Sequence, residues 1–168
     1  MFVLAERYEP VEGPWHSHRR AQLLHASEGV LTVRTSAGLW VVPPQREVIL
    51  DRLPQLKVSP LHLPSPRDTR LKSMTDALAM NPADARTLGE LATVAGMTER
   101  TVARLFLKET GLTFGQWRRQ LRLLAALERL GAGESVSNVA LDVGYEDVSS
   151  FIAVFKAALG DTPARYFR

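Results

Sequence analysis

Two imidazoles near the N-terminus have the spacing of metal ligands. His16 and His18 are separated by one residue, and the amide of Gln22 follows four positions later. Alternate residues of a β-strand point to the same side, so both imidazoles and the amide oxygen would face one transition-metal ion. A later histidine, His62, could complete such a site, but it lies among prolines. We therefore expect no bound cofactor, and regard His16, His18 and Gln22 as a residual metal site at most.

A stripe of basic residues offers a different chemistry. Arg100, Arg104 and Lys108 recur every four residues, so they share one face of a helix. Such a face can contact DNA phosphates and guanine edges, although a solvated helix face has the same pattern. The formal net charge of +3 is too small to distinguish a DNA-binding face from a solvated one. The placement of the charges must therefore distinguish these two interpretations.

The composition excludes several classes of protein. The chain of 168 residues has no cysteine, which excludes disulfides and thiolate metal sites. It contains no stretch of about 20 apolar residues that could cross a membrane. The first ten residues, MFVLAERYEP, carry acidic groups where a signal peptide needs basic ones. No convergent set of acid and base residues is present, so we expect a cytoplasmic protein that is not an enzyme and has no catalytic residues.

The predicted elements give an α+β fold class, with about seven helices after a small antiparallel β region. Alternating residues from Gly29 to Leu50 predict a hairpin around Ser36-Ala37-Gly38. The segment 60–67 is rich in proline and is interpreted as a semi-rigid linker. Capping residues and apolar spacing then predict helices at 68–80, 87–94, 99–110, 113–130, 136–142 and 147–158, with a last turn after Pro163.

An internal repeat is the most informative feature of the helical half. The segment 91–97, LATVAGM, recurs as 139–145, VALDVGY, at an offset of 48. Beyond this segment Val102 and Phe106 correspond to Phe151 and Phe155 at an offset of 49. A short helix with a small residue, a turn at glycine and a second helix form a helix-turn-helix. We expect two such units, 87–110 and 136–158. The 113–130 helix between them has a length, about 27 Å, suited to adjacent turns of the major groove.

Residues 68–168 closely resemble the AraC/XylS family of bacterial transcriptional regulators, in the runs AGMTERTVARLFLKETGLTFGQWRRQLRL and VALDVGYEDVSSFIAVFKAALGDTPARYF. The resemblance implies sequence-specific binding of double-stranded DNA, with the second helix of each unit in successive major grooves. It implies base contacts from Arg100, Ala103, Arg104, Val148, Ser149 and Ile152. It implies phosphate contacts from Thr98, Thr101, Lys108, Arg118, Arg119 and Lys156. Family members often have arginine where Ala153 stands, so specificity should depend on the first unit.

Residues 1–59 resemble a truncated cupin, the β-barrel effector domain of one branch of this family. The run from Trp15 to Gly29 has the spacing of the first cupin motif, but the later histidine motif is missing. About 66 residues are too few to close a barrel, so effector sensing should be lost or reduced. The exposed sheet would dock on the helical domain, pair with a second subunit or remain loosely folded.

Two other interpretations stay open from the sequence. One is a small metal-dependent cupin-type enzyme or metal-binding protein with a helical appendage. The other is a gene remnant that cannot fold alone. RNA polymerase is a candidate partner for a regulator, no membrane partner is expected, and the sequence leaves the oligomeric state undetermined.

Overall fold

The computed structural model describes residues 23–26, 29–44, 46–49 and 61–167. Within these ranges strands precede helices, which confirms the α+β fold class. The strands are β1 (Leu23–Ala26), β2 (Leu31–Thr35), β3 (Gly38–Val42), β4 (Arg46–Ile49) and β5 (His62–Pro64). The helices are α1 (Thr69–Met80), α2 (Leu88–Val94), α3 (Glu99–Thr110), α4 (Phe114–Gly131), α5 (Val136–Asp142), α6 (Val148–Leu159) and α7 (Pro163–Tyr166). His16, His18 and Gln22 lie outside the described residues, and so does the prediction of a residual metal site.

The strands form two antiparallel ladders. β1 pairs with β4, and the second sheet has the order β2-β3-β5. Thr35 pairs with Gly38 across the turn between β2 and β3, which confirms the hairpin predicted around Ser36-Ala37-Gly38. Trp40 and Val42 on β3 are buried and pack with Ala26 of β1 in a small cluster of their own.

The proline-rich segment 60–67 contains a strand where a linker was predicted. β5 pairs with β3, with Gly38 opposite Pro64. Proline is tolerated because β5 is short and lies at the end of the sheet. Gly38 has a φ of 143°, and a Cβ there would collide with the carbonyl oxygen of Leu63. The linker interpretation is wrong for residues 62–64, because pairing with a distant strand leaves no local signal in the sequence.

Threonine side chains start three of the helices at the predicted places. Thr87 accepts a hydrogen bond from the Glu90 backbone and donates its own backbone N–H to the Glu90 carboxylate at 2.7 Å. Thr113 forms the same capping box with Gln116 at the start of α4. Thr98 accepts from the Thr101 backbone at the start of α3. Because these caps satisfy N–H groups that have no partner inside the helix, the observed starts lie within one residue of the predicted ones.

The three-stranded sheet packs against α4 and shares a core with the helices. Val41 and Leu63 belong to the same buried cluster as Trp117 and Leu124. The indole N–H of Trp117 also donates to the carbonyl oxygen of Pro64 at 2.8 Å. Of the three arrangements left open for the β region, the described strands therefore adopt the first, docking on the helical domain.

The sheet also contacts the C-terminal end of α4. The hydroxyl of Thr32 donates to the carboxylate of Glu128. Val30 lies directly over Gly131, where an added Cβ would overlap its side chain. The sheet therefore lies along α4 from its first turn to its last.

The segment between β5 and α1 is attached to α3. The Glu109 carboxylate accepts hydrogen bonds from the backbone N–H groups of Arg67 and Asp68, at 2.7 and 3.0 Å. Residues 61–68 thus join the sheet to the end of α3 and to α4, instead of passing freely between two domains.

Candidate nucleic-acid interface

The two predicted helix-turn-helix units repeat one another at the level of backbone hydrogen bonds. In the first turn the Met97 N–H donates to the Ala92 carbonyl at 2.9 Å, and in the second Tyr145 donates to Ala140 at 3.0 Å. The turn glycines, Gly96 and Gly144, have φ angles of 65° and 89°. This left-handed conformation favours glycine. The repeat in the sequence therefore corresponds to a repeat of the turn in the structure.

The second helix of each unit also ends in the same way. Gly111 closes α3 and Gly160 closes α6, with φ angles of 73° and 89°. Each donates its N–H to the carbonyl four residues earlier, at 2.9 and 2.8 Å. The duplication therefore includes both helices and both glycines of each unit.

The outward face of α3 carries the base-contact residues predicted for the first unit. Arg100, Ala103 and Arg104 are exposed, while Val102 and Phe106 are fully buried. No ion pair or hydrogen bond within the described part of the chain engages the guanidinium of Arg100 or Arg104. Both are therefore available to a ligand outside the protein.

The predicted phosphate contacts on α3 lie at its two ends. Thr98 is the N-cap, and its hydroxyl oxygen lies 2.9 Å from that of Thr101. Lys108 is exposed in the last turn.

The corresponding face of α6 is less available than the sequence predicted. Val148 and Ile152 are half-buried and pack against the main core, whereas Ser149 and Ala153 are exposed. Lys156 is exposed in the last turn. The second unit thus presents few polar groups to a base edge.

The arginines of α4 differ from one another in availability. Arg119 is exposed. Arg118, predicted to contact phosphate, is half-buried: it donates to the carbonyl oxygen of Arg86, and its guanidinium carbon lies 4.5 Å from the centre of the Phe114 ring. Burial, and secondly the charge of Arg122, lowers the pKa of Arg118. One N–H group and one face of this guanidinium are therefore engaged inside the protein, while its buried Nε has no hydrogen-bond partner among the described residues.

Arg122 also lies on α4, and the sequence analysis assigned it no contact. It donates Nε–H to the Pro82 carbonyl at 3.1 Å and Nη1–H to the Gly144 carbonyl at 2.8 Å. The available signal was its spacing of four residues from Arg118, which places both guanidinium groups on one face of α4. That spacing alone does not distinguish a DNA contact from an internal one.

His62, the later candidate for a metal ligand, packs within the sheet. Its ring stacks on Trp40 at a centroid distance of 4.0 Å, and burial lowers its pKa. Among the residues that the structure describes, no three His, Asp or Glu side chains lie close enough to hold a metal ion. None of the helices in the described ranges combines the length and the hydropathy of a membrane span.

The fold and the exposed arginines define the class of protein. Two helix-turn-helix units are joined by α4, whose 18 residues give a rod about 27 Å long. Each unit displays one face of its second helix, and the α3 face carries unengaged guanidinium groups. This is the architecture of a helix-turn-helix DNA-binding protein.

Comparison with known proteins identifies the family. A family model described as a helix-turn-helix domain matches residues 91–168. The chain is 31% identical over 234 aligned residues to the HTH-type transcriptional regulator NimR of Escherichia coli (strain K12), covering 98% of this chain and 86% of that protein. It is 35% identical to the HTH-type transcriptional regulator RipA of Corynebacterium glutamicum over 98% of this chain, but spans only 48% of that protein. The chain therefore belongs to the AraC-type family of helix-turn-helix transcriptional regulators.

A solved structure agrees with this assignment. The DNA-binding domain of AdpA, a global transcriptional factor solved in complex with a target DNA, is similar with a TM-score of 0.52 and 29% identity. The similarity covers 56% of this chain and 86% of that one. The family predicted from the sequence is thus confirmed, and the alternative of a cupin-type enzyme is not favoured.

Proposed function

We propose that this chain regulates transcription by binding a bipartite site on duplex DNA, with α3 and α6 in successive major grooves. The observation that carries the proposal is the bond-for-bond repetition of the two units at Gly96 and Gly144. A rod of about 27 Å, with a turn at each end, is close to the 34–36 Å pitch of successive grooves.

Specificity in this proposal depends on the first unit. The free guanidinium groups of Arg100 and Arg104 can each bind guanine O6 and N7, and Ala103 can contact a thymine methyl group. The second unit has Ser149 as its exposed polar residue on this face, while Val148 and Ile152 are held partly in the core. It would contribute mainly shape readout and backbone contacts.

Phosphate contacts are assigned to exposed donors around these faces. Lys108, Arg119 and Lys156 are exposed cations, and the threonines Thr98 and Thr101 start α3. Arg118 supplies positive charge near them, but it is half-buried and one of its N–H groups is bonded to the Arg86 carbonyl. Phosphate contacts fix the register of a protein on DNA without reading its sequence.

The β region is assigned a structural role, with effector sensing lost or reduced. The alignment with NimR extends over 234 residues, more than this chain contains, so that relative has a stretch without a counterpart here. Trp117 and Glu128 attach the remaining strands to α4. The proposed regulator would act in the cytoplasm, with RNA polymerase as a further candidate partner. The proposal includes no enzymatic activity.

Selection of bound sequences from a random duplex pool tests the proposal. We expect one enriched site with two subsites about 10 base pairs apart, more strongly conserved on the α3 side, and bound less tightly as salt rises. Recovery of no sequence preference, or of a single short subsite, would contradict it. Metal analysis of the same preparation tests the cupin alternative, which a stoichiometric transition metal would support.

A further inference from the structure

Arg122 joins two segments that lie far apart in the sequence. Its Nε–H donates to Pro82, just before the first helix-turn-helix unit, at 3.1 Å. Its Nη1–H donates to Gly144, in the turn of the second unit, at 2.8 Å. The guanidinium carbon also lies 5.8 Å from the centre of the Tyr145 ring. One side chain of the rod thus holds the approach to one unit and the turn of the other.

The two segments touch each other backbone to backbone at this point. A Cβ built on Gly144 would lie 2.8 Å from the Cα of Ala83, and also 2.8 Å from Nη2 of Arg122. Glycine is therefore required both for the left-handed turn and for the close approach. The second turn packs directly on the segment that leads into α2.

Arg118, one helical turn before Arg122, contacts the other end of the segment that leads into α2, residues 82–86. It donates to the carbonyl of Arg86, so α4 holds residues 82–86 from both ends. Arg86 itself pairs with Asp84, which stiffens the segment further. The first unit follows at Thr87, the N-cap of α2.

We propose that Arg122 is a positioning residue that sets the separation of the two recognition helices, and with it the spacing of the two DNA subsites. The inference rests on the proposed bipartite binding. A guanidinium is a rigid fork whose N–H groups can serve two acceptors at fixed angles, whereas an ammonium is a single point on a flexible stem. Only arginine therefore holds both carbonyls in one geometry.

The charge of Arg122 can be separated from its geometry by two substitutions. Arg122→Lys keeps the positive charge and loses the fork, while Arg122→Met loses both and keeps a long apolar stem. If the fork matters, both variants lose spacing selectivity. If only the charge matters, the lysine variant behaves like the wild type.

The experiment measures the affinity of the full chain for three duplexes. The first is the bipartite site selected by the wild type, the second has one base pair inserted between the subsites, and the third has the α6 subsite scrambled. For the wild type we expect the insertion to weaken binding by about tenfold or more, within the usual range of coupling between two sites. For both variants we expect the insertion penalty to fall to about threefold or less, with affinity for the third duplex unchanged.

The ratio of the affinities for two duplexes does not depend on the fraction of folded protein, because both affinities are measured on the same preparation. An insertion penalty that stays at the wild-type value in both variants, or that the lysine variant alone retains, overturns the inference. So does an equal loss on all three duplexes, which indicates a phosphate contact. If the wild type itself selects no bipartite site, the proposed function fails first and the inference with it.

Discussion

The indole N–H of Trp117 donates to the carbonyl oxygen of Pro64 at 2.8 Å, joining the rod of the helical domain to the last strand of the sheet. The Trp117 ring is buried and packs edge-on against Phe106 of α3 at a centroid distance of 5.6 Å. Trp117, a residue of the rod, thus contacts both the sheet and α3.

Replacing Trp117 by phenylalanine should destabilise the protein by about 1 kcal/mol, because it deletes the hydrogen bond and keeps most of the ring packing. Trp40→Phe is the matched control. The Trp40 ring is also buried, but its N–H has no hydrogen-bond partner among the described residues. Urea unfolding should therefore show a smaller loss for Trp40→Phe than for Trp117→Phe. The reverse order would mean that the bond to Pro64 contributes nothing.

Replacing Arg104 by alanine should cost about 1–3 kcal/mol on the selected DNA site and relax the preference at one base pair. Lys108→Ala serves for comparison, because it should weaken binding to all sequences alike. It should also reduce the slope of the logarithm of the binding constant against the logarithm of the salt concentration by about one. Titration of both variants on matched and mismatched duplexes distinguishes the two effects. If Arg104→Ala weakened binding equally on matched and mismatched duplexes, Arg104 would contact phosphate and not a base.

The two turn glycines should respond differently to alanine, although they occupy equivalent places in the repeat. Both have positive φ, and a left-handed conformation costs a residue with a Cβ about 1–2 kcal/mol. A Cβ at Gly96 meets no atom within 4 Å, whereas one at Gly144 meets Ala83 and Arg122 at 2.8 Å. Overpacking should add about 1–3 kcal/mol for Gly144→Ala. Equal losses of unfolding free energy in the two variants would contradict the close contact.

Asp68, the N-cap of α1, should contribute to the acid sensitivity of the protein. Its hydrogen bond with Arg70, assisted by backbone N–H groups, lowers its pKa from 3.8 to about 2. Because the folded pKa is the lower one, the stabilisation is present above pH 3.8 and is lost as the pH falls through about 2. Asp68→Asn keeps a capping oxygen, so its unfolding free energy should fall less steeply over this window. Parallel curves for the two proteins would refute the assignment.

Local signals in the sequence were sufficient to predict most of the helical half. The threonine cap and the terminal glycine of α3 are read from adjacent residues, so α3 was predicted at its observed bounds. The bounds of α5, which begins after a serine cap, were also predicted correctly. The turn at Gly144 was found because the sequence repeats. The assignments of base and phosphate contacts remain predictions, since they concern a partner outside the chain.

Contacts between distant residues were not predictable in the same way. β5 is a strand only because β3 lies beside it, and its prolines indicated the opposite. Arg118 and Arg119 are neighbours of identical type, yet one is engaged inside the protein and the other is exposed. The half-burial of Val148 and Ile152 likewise depends on how α6 is seated on the core, which periodicity does not reveal.

The sheet lies along α4 from Trp117 to Gly131, a distance of about 21 Å. An α-helix that is packed against a sheet along its length bends less than one that is free on all sides. Removing residues 1–60 would therefore change the mechanics of the spacer as well as shorten the protein. We expect such a shortened protein to tolerate a wider range of distances between its two DNA subsites, at the cost of affinity for the best one.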